Sequence, residues 1–233
     1  MRKPRVYVPR LAREIKLSGR EARHLAQVLR VRPGREVIVF DGSGMEATAR
    51  VAEVTTSTVT LSADPPQRAE REPPFELVLF VALLKGDKLA TVVRAASELG
   101  VSRFVPLVSE RSVPRSIGES KLKRLRRIAI EAAKQSGRAL APTVSAPLAF
   151  EKLTAVSFGL VAHPYAGSRL AAVSWPRSGA VALASGPEGG FSEDEVERLS
   201  ELGFAPVRLG PRILRAETAP IVLAAAAAAL RDI

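Results

Sequence analysis

Residues 185–190 read SGPEGG, and this stretch decides the fold because it separates an apolar run, AVALA, from an amphipathic run, SEDEVERLSELG. The first run is typical of a buried strand and the second of a helix. Glycine and proline at a strand-to-helix junction leave backbone N–H groups free at the helix start, where α/β proteins hold ligands. A plain tight turn, with Glu188 as a helix-start acid, explains the same letters.

Strand and helix patterns alternate through the last two thirds of the chain. In order they begin ELVLFVALL, GDKLATVVRAASELG, VSRFVPLV and KLKRLRRIAIEAAKQSG. This alternation predicts an α/β domain with a parallel sheet. Ser192 and Glu195 predict a capping box for the helix that follows SGPEGG. Residues 64–74, DPPQRAEREPP, are rich in proline and charge and are typical of a linker.

A second irregular loop, LGPRILRAETA at residues 209–219, precedes the last helix. It follows the next strand along the chain and mixes charged with apolar residues. Because the carboxyl ends of parallel strands meet at one edge of a sheet, we expect this loop and SGPEGG to lie at adjacent strand ends and to line one crevice.

The first part of the chain has a different pattern. SGREARHLAQVLRV predicts a short helix, with Ser18 and Glu21 as a capping box and Pro33 and Gly34 at its end. REVIVFDGSGMEATARVAEVTTSTVTLSA then alternates as strands and predicts a small β-rich domain. GSGMEA within it matches a dinucleotide-binding pattern, but no helix follows, so a hairpin turn is the favoured interpretation.

Composition excludes several classes of protein. The lack of cysteine excludes disulfides and thiolate metal sites, and His24 and His163 are the only histidines, so we expect no metal. The longest apolar run, IVLAAAAAAL, is far shorter than the roughly 20 residues of a membrane span. We therefore expect a soluble, cytoplasmic protein without a membrane partner.

The positive charge is concentrated in two zones. The formal net charge is +11; residues 1–35 hold eleven Lys/Arg against two Glu, and residues 111–138 hold nine against two. Two basic zones separated by neutral sequence favour contact with a polyanion such as RNA. A solvated, arginine-rich surface is the alternative on charge alone.

Five stretches in chain order carry a resemblance to a known family: KGDKLATVVRAASELGV, SERSV, EAAKQSGR, GPEGGFS and LGPRILRAETA. With the earlier HLAQVLRVRPGREVIVFDGSG, they resemble the RsmE family of ribosomal RNA methyltransferases, which belongs to the knotted SPOUT class. The resemblance covers nearly the whole chain. Ala90 and Ala95 depart from the family pattern, since an acid and a lysine are frequent there.

The resemblance implies a PUA-like RNA-binding β-barrel in residues 1–70 and, in residues 71–233, a methyltransferase domain with a parallel sheet and a trefoil knot. It implies a homodimer that binds S-adenosylmethionine (SAM) and methylates N3 of one uridine in 16S ribosomal RNA, free or within the small ribosomal subunit. A noncatalytic RNA-binding protein with the same scaffold is the alternative. The implied cofactor-binding residues are His163, Pro164, Ser185, Gly186, Pro187, Gly190, Leu209, Gly210, Arg212, Ile213 and Leu214.

Methyl transfer to a uracil nitrogen needs alignment of donor and acceptor and the removal of one proton, without a metal. Arg215 is the candidate cation beside the uracil anion, and Glu217 or Glu188 is the candidate proton acceptor or orients that arginine. The alternatives are a phosphate contact for Arg215 and a first-turn helix acid for Glu217. We also expect a side chain at Gly190 to fill the cofactor loop.

The two basic zones supply the candidate contacts to RNA phosphates and to one stacked base. A solvated helix face is the alternative for the arginines of KLKRLRRIAIEAAKQSGR. The predicted RNA-binding residues are Arg5, Tyr7, Arg10, Arg23, Arg30, Arg111, Arg115, Arg124, Arg127 and Arg138.

Overall fold

The computed structural model describes residues 3–73, 75–176 and 178–231. The chain divides into two compact units. The first runs to Glu72 and also includes Ala133–Ala141, and the second contains Pro73–Ala132 and the chain from Pro142 onward.

The first unit is built on a curled, mainly antiparallel sheet. Its strands pair in the order β1-β3-β4-β5-β2, and β6 pairs with β4. Alternate residues of β3, β4 and β5 are buried in one apolar core, so this face of the sheet is closed from water. The strands are β1 Arg5–Tyr7, β2 Glu14–Ser18, β3 Glu36–Phe40, β4 Met45–Val54, β5 Thr58–Ala63 and β6 Gln67–Arg68.

The turn between β3 and β4 is a hairpin, as predicted for GSGMEA. The two strands pair antiparallel in continuous register. Asp41 Oδ1 accepts hydrogen bonds from the backbone N–H of Ser43 at 3.0 Å and from its hydroxyl at 2.6 Å. These bonds stabilise the turn. The chain continues as a strand, so there is no helix N-terminus here that could bind a dinucleotide.

The short helix α1, Gly19–Arg23, begins after Ser18 as predicted, but the capping box does not form. Ser18 is the last residue of β2, and Gly19 then takes a φ of +61°. This turn of the backbone moves Ser18 out of line with the amide that it would cap. The chain continues as a π-helical segment, His24–Val28.

Residues 133–141 join the first unit through a buried carboxylate. Glu72 accepts hydrogen bonds from Nε and Nη2 of Arg138 at 3.2 and 3.1 Å, and from the backbone N–H groups of Ala139 and Leu140 at 2.6 and 2.8 Å. Four donors compensate for the burial of this charge.

The second unit is an α/β domain. All of its strand pairs are parallel among the described residues, in the order β10-β8-β7-β12-β11-β13, and β9 pairs with β8. The strands are β7 Leu77–Ala82, β8 Arg103–Val108, β9 Thr143–Val144, β10 Leu148–Ala149, β11 Gly159–Ala162, β12 Val181–Ser185 and β13 Phe204–Val207; the helices are α2 Lys88–Glu98, α3 Glu119–Ser136, α4 Glu193–Glu201 and α5 Thr218–Arg231.

Both faces of this sheet are covered. Alternate residues of β7 and β12 enter one apolar cluster with α2, α3 and α5, and the remaining residues enter a second cluster with α4. Such strands read as continuous apolar runs, which is why ELVLFVALL and AVALA show no period of two. The parallel sheet and the separate β unit confirm the predicted fold class.

The path of α5 brings the last loop across the carboxyl ends of the strands. β13 lies at the end of the sheet, yet α5 packs against β7, β12 and α2 near its centre. Residues 208–217 must therefore cross the edge where β11 and β12 also end. In the described part of the chain no helix is long and apolar enough to cross a bilayer.

Candidate functional site

Three strand ends meet at the site, where the strand pattern predicted two and the family resemblance added the loop with His163 and Pro164. β12 and β13 are not neighbours, because β11 pairs with both and lies between them. The loop that follows β11 therefore belongs to the same crevice as SGPEGG and LGPRILRAETA. The expectation of adjacent strand ends is corrected, and the expectation of one shared crevice holds.

These loops enclose a cavity of about 450 Å³. All of the predicted cofactor-binding residues line it, together with Glu188 and Arg111. The structure thus brings together residues from four separate parts of the sequence. The lining residues that were not predicted are Ala162, Tyr165, Gly189, Phe191, Glu193, Ala216 and Ala219.

The glycine loop leaves no room for a side chain at its first glycine. A Cβ atom on Gly186 would lie 2.8 Å from Phe191 N and 3.1 Å from the carbonyl carbon of Gly190. Gly190 has a φ of +71° and donates its N–H to Pro187 O at 2.9 Å. The loop therefore folds back on itself and exposes backbone to the cavity, where a ligand can approach closely.

The far end of the same loop is held by the predicted capping box, which is confirmed. Ser192 accepts a hydrogen bond from Glu195 N, and Glu195 Oε2 accepts one from Ser192 N at 3.0 Å. Glu195 Oε1 also accepts from Glu110 N at 2.8 Å. One carboxylate thus ties the start of α4 to the loop after β8 and fixes the wall of the cavity.

An acidic cluster lies at one edge of the cavity around Lys88, the first residue of α2. Lys88 Nζ donates to Glu188 Oε1 at 2.7 Å, and Lys85 N donates to the same oxygen at 3.3 Å. Glu217 Oε2 lies 3.8 Å from Lys88 Nζ; it is buried and has no hydrogen-bond partner among the described residues. Lys88 therefore interacts with two carboxylates from two different loops.

The charges in this cluster are coupled. Burial raises the pKa of Glu188, but hydrogen bonds from Lys88 and from backbone N–H groups outweigh that effect, and the pKa lies below its ordinary value. The hydrogen bond to Glu188 raises the pKa of Lys88. The pair is therefore ionised at neutral pH.

The three predicted catalytic residues occupy different positions. Glu188 lines the cavity, whereas Arg215 and Glu217 are not among the described residues that line it. Arg215 is exposed, and its carbonyl accepts from the N–H groups of Thr218 and Ala219 at the start of α5. Glu217 faces Lys88 from the turn before that helix.

The predicted RNA-binding arginines of the second unit differ in whether their side chains already form hydrogen bonds within the protein. Arg111 lines the cavity and donates to Gly189 O at 3.2 Å. Arg115 donates to two backbone carbonyls in the loop after β8. Arg124 forms a two-pronged ion pair with Asp87, and Arg127 is exposed on α3. Arg124 is committed to fixing the loop before α2, while Arg127 faces solvent.

In the first unit two of the predicted RNA contacts are corrected. The Arg138 side chain is 5% exposed and bound to Glu72. The Arg5 side chain is 8% exposed, with Nη2 2.7 Å from Glu46 Oε2 and its guanidinium over the Phe40 ring. Buried arginines held by carboxylate partners are not available to phosphates, and the loss of either partner would leave an uncompensated buried charge. Both therefore have structural roles.

The remaining predictions in the first unit lie at its surface. Tyr7 is half-buried and packs edge-on against Phe40, with ring centroids 5.7 Å apart. Arg10, Arg23 and Arg30 are exposed, and Arg30 has an unusual positive φ of 50°. Within residues 3–73, 75–176 and 178–231 no cluster of three or more His, Asp or Glu side chains is arranged to hold a metal ion.

Among the residues at the site that the sequence did not indicate, Lys88 and Tyr165 are the two with a candidate functional role. Lys88 stands in the quoted KGDKLATVV, and a lysine at the first position of a helix opposes the helix dipole, which is a signal of another role. Tyr165 follows the predicted pair His163 and Pro164 and is 78% exposed at the cavity. The corresponding sequence signal is an aromatic residue directly after the predicted pair His163 and Pro164.

Comparison with known proteins agrees with this geometry. Residues 71–228 match the model of an RNA methyltransferase domain, and residues 17–63 match that of an RNA methyltransferase PUA domain. Ribosomal RNA small subunit methyltransferase E of a Synechocystis strain is 34% identical, covering 94% of this chain and 74% of its own length. The protein of that name from Bacillus subtilis is 33% identical, with 88% and 86% covered.

A solved structure shows the same likeness. Ribosomal RNA small subunit methyltransferase E from Neisseria gonorrhoeae, bound to S-adenosyl methionine, superposes with a TM-score of 0.88 at 33% identity, covering 98% of each chain. The match includes both units and the three loops around the cavity. The chain belongs to the RNA methyltransferase family that contains these small-subunit ribosomal RNA methyltransferases E.

Proposed function

We propose that this protein is a SAM-dependent methyltransferase of 16S ribosomal RNA that modifies N3 of a uridine. The observation that carries the proposal is the single cavity at three parallel strand ends, lined by every residue that the family resemblance assigns to the cofactor. The SAM-bound relative from Neisseria gonorrhoeae supports the choice of cofactor. The substrate follows from the names of the relatives, and N3 of uridine follows from the family resemblance.

The residues of the cavity fit such a cofactor. Leu209, Ile213 and Leu214 offer an apolar wall for a purine ring, and the backbone around Gly186 and Gly190 is open to polar groups of a ribose. The volume of about 450 Å³ lies in the range of small-molecule sites. When bound, SAM supplies a methyl group activated by a sulfonium. The loops after β11, β12 and β13 would hold it.

Of the two candidate proton acceptors, the geometry favours Glu188. It is the one that lines the cavity, and its partners keep it ionised at neutral pH. Glu217 is held against Lys88 outside the cavity wall. We assign proton removal from the uracil imide to Glu188, and to Arg215 or the lining Arg212 the support of negative charge on the base or on its phosphate.

RNA affinity is assigned to the exposed cations. Arg10, Arg23 and Arg30 on the first unit and Arg127 on α3 are exposed, and each phosphate contact releases counterions. Binding should therefore weaken steeply with salt. The family resemblance is also the support for a homodimer.

Titration with SAM followed by a methylation assay tests the proposal and separates it from a noncatalytic RNA-binding protein. We expect the full chain to bind SAM by isothermal titration calorimetry and to transfer a labelled methyl group to small-subunit ribosomal RNA, with one modified uridine on mapping. RNA binding without SAM binding would support the noncatalytic alternative instead.

Tyr165 is expected to stack on the target base. Tyr165 is 78% exposed and lines the same cavity as Ile213, which is 73% exposed. Replacing Tyr165→Ser removes the stacking surface, so KM for RNA should rise roughly 5- to 20-fold, within the 1–3 kcal/mol of base–aromatic stacking. Tyr165→Phe should keep the wild-type KM. An equal loss of SAM affinity in Tyr165→Ser would show a cofactor contact instead.

A further inference from the structure

We propose that Lys88 is a positioning residue for methyl transfer, bridging Glu188 and Glu217 so that Glu188 stays ionised and fixed at the cavity edge. The proposal deepens the proposed function and rests on it. Lys88 itself is not among the described residues that line the cavity, so it acts through Glu188. Its distances to the two carboxylates, 2.7 and 3.8 Å, are the basis of the proposal.

The place of Lys88 in α2 argues against a role in helix stability. It is the first residue of the helix, where the macrodipole carries partial positive charge and disfavours a cation. A neutral or acidic residue there would suit α2 better. Despite the unfavourable interaction with the helix dipole, Lys88 stands at this position, and two carboxylates from distant segments lie around its ammonium group. Such an arrangement is typical of a charged group that controls the ionisation of a residue in a neighbouring functional site.

The loop that carries Lys88 is itself held in place. Lys121 Nζ donates to Gly86 O at 3.0 Å, and Arg124 pairs with Asp87 through two bonds of 2.6 and 3.1 Å. Two cations of α3 thus fix the residues immediately before Lys88. A fixed ammonium group can orient Glu188 with little loss of side-chain entropy on substrate binding.

Glu217 explains why the lysine is needed. Its Oε2 is buried and has no hydrogen-bond partner among the described residues, and its side chain is 19% exposed. Without Lys88, two carboxylates would face the same space and each would favour protonation of the other. Glu188 would then lose its charge at a higher pH.

The sign of the pH dependence follows from these contacts. A carboxylate that accepts a proton works only when ionised, so activity falls as the pH drops through its pKa. Burial raises the pKa of Glu188 and Lys88 lowers it, so the contact with Lys88 keeps this carboxylate ionised to lower pH, although it also makes the carboxylate a weaker base. Glu188 is bonded by Lys88 and by the backbone N–H of Lys85, and Glu217 and Arg215 interact with Lys88; the other titratable groups that line the same cavity are Arg111, His163, Glu193 and Arg212.

The test compares Lys88→Met with wild type in the full chain. We expect the acidic limb of the kcat profile, measured with SAM and a small-subunit ribosomal RNA transcript, to move to higher pH. SAM affinity at neutral pH should stay within about twofold, while the thermal midpoint should fall modestly, because the two carboxylates lose their shared cation and relief of the helix dipole offsets only part of that loss. Lys88→Arg should restore the wild-type pH profile of kcat. Arg94→Met, an exposed charge loss on the same helix, is the matched control.

A direct titration keeps the inference separate from the proposed function. The carboxyl carbon of Glu188, followed by NMR in the free protein, should titrate at higher pH in Lys88→Met and in the charge-neutral Lys88→Gln. An unmoved midpoint overturns the inference even if the enzyme is active. If Lys88→Met lost SAM binding together with activity, Lys88 would only hold the loop in place, and the inference would be wrong. A wild-type protein that methylates no RNA would overturn the proposed function instead.

Discussion

Replacing Gly186→Val is expected to weaken SAM binding by roughly 5- to 140-fold, because overpacking costs about 1–3 kcal/mol and each 1.4 kcal/mol is tenfold. The new Cβ would lie 2.8 Å from Phe191 N, a backbone atom that cannot rotate away. Phe191 is buried and packs against Phe150, so the loop must move toward the cavity. Isothermal titration calorimetry with SAM measures the loss.

Two further variants separate the cause of that loss. Gly186→Ala keeps the same Cβ clash with less bulk and should lose part of the affinity, while circular dichroism and the thermal midpoint show whether the domain is folded. Gly118→Ala adds a Cβ that meets nothing within 4 Å, at a glycine away from the cavity, and should bind as wild type. Full SAM affinity in folded Gly186→Val would contradict the assigned cavity.

The cavity loops could be predicted because their signal is local. Glycine, proline and charge immediately after an apolar strand identify SGPEGG and LGPRILRAETA without knowledge of their neighbours. The effect of a side chain at Gly190 stays a prediction: a Cβ there would take up space in the cavity that this residue lines, but it meets no protein atom within 4 Å, so crowding by the protein is not what constrains the position. The constraint at Gly190 is instead its φ of +71°, and the crowded position is Gly186.

Sheet order and ion pairing could not be read from the sequence. The placement of β11 between β12 and β13 depends on long-range packing, since consecutive strands need not be neighbours. The sequence placed Arg138 on a basic surface because its partner Glu72 lies 66 residues away along the chain. Arg5 and Glu46 are likewise separated along the chain. A count of charges cannot show which cations are neutralised inside the fold.

Glu188→Gln is expected to lower kcat by roughly 10²- to 10⁴-fold, the usual contribution of a general base. Glutamine has the shape of glutamate but does not accept the imide proton at neutral pH. Its amide oxygen can still accept hydrogen bonds from Lys88 Nζ and Lys85 N, so the loop should stay in place. SAM affinity should therefore change little, and single-turnover rates with RNA in excess measure the chemical step.

The comparison with Glu217→Gln decides between the two carboxylates. Glu217 lies 3.8 Å from Lys88 Nζ and is not among the described residues that line the cavity, so its loss should affect the rate much less. Glu197→Gln, on the exposed face of α4, controls for the charge change. If Glu217→Gln lost the larger part of kcat while Glu188→Gln kept it, the proton acceptor would be Glu217. The carboxylate without a hydrogen-bond partner would then have to turn toward the cavity when RNA binds, and Lys88 would be the group that releases it.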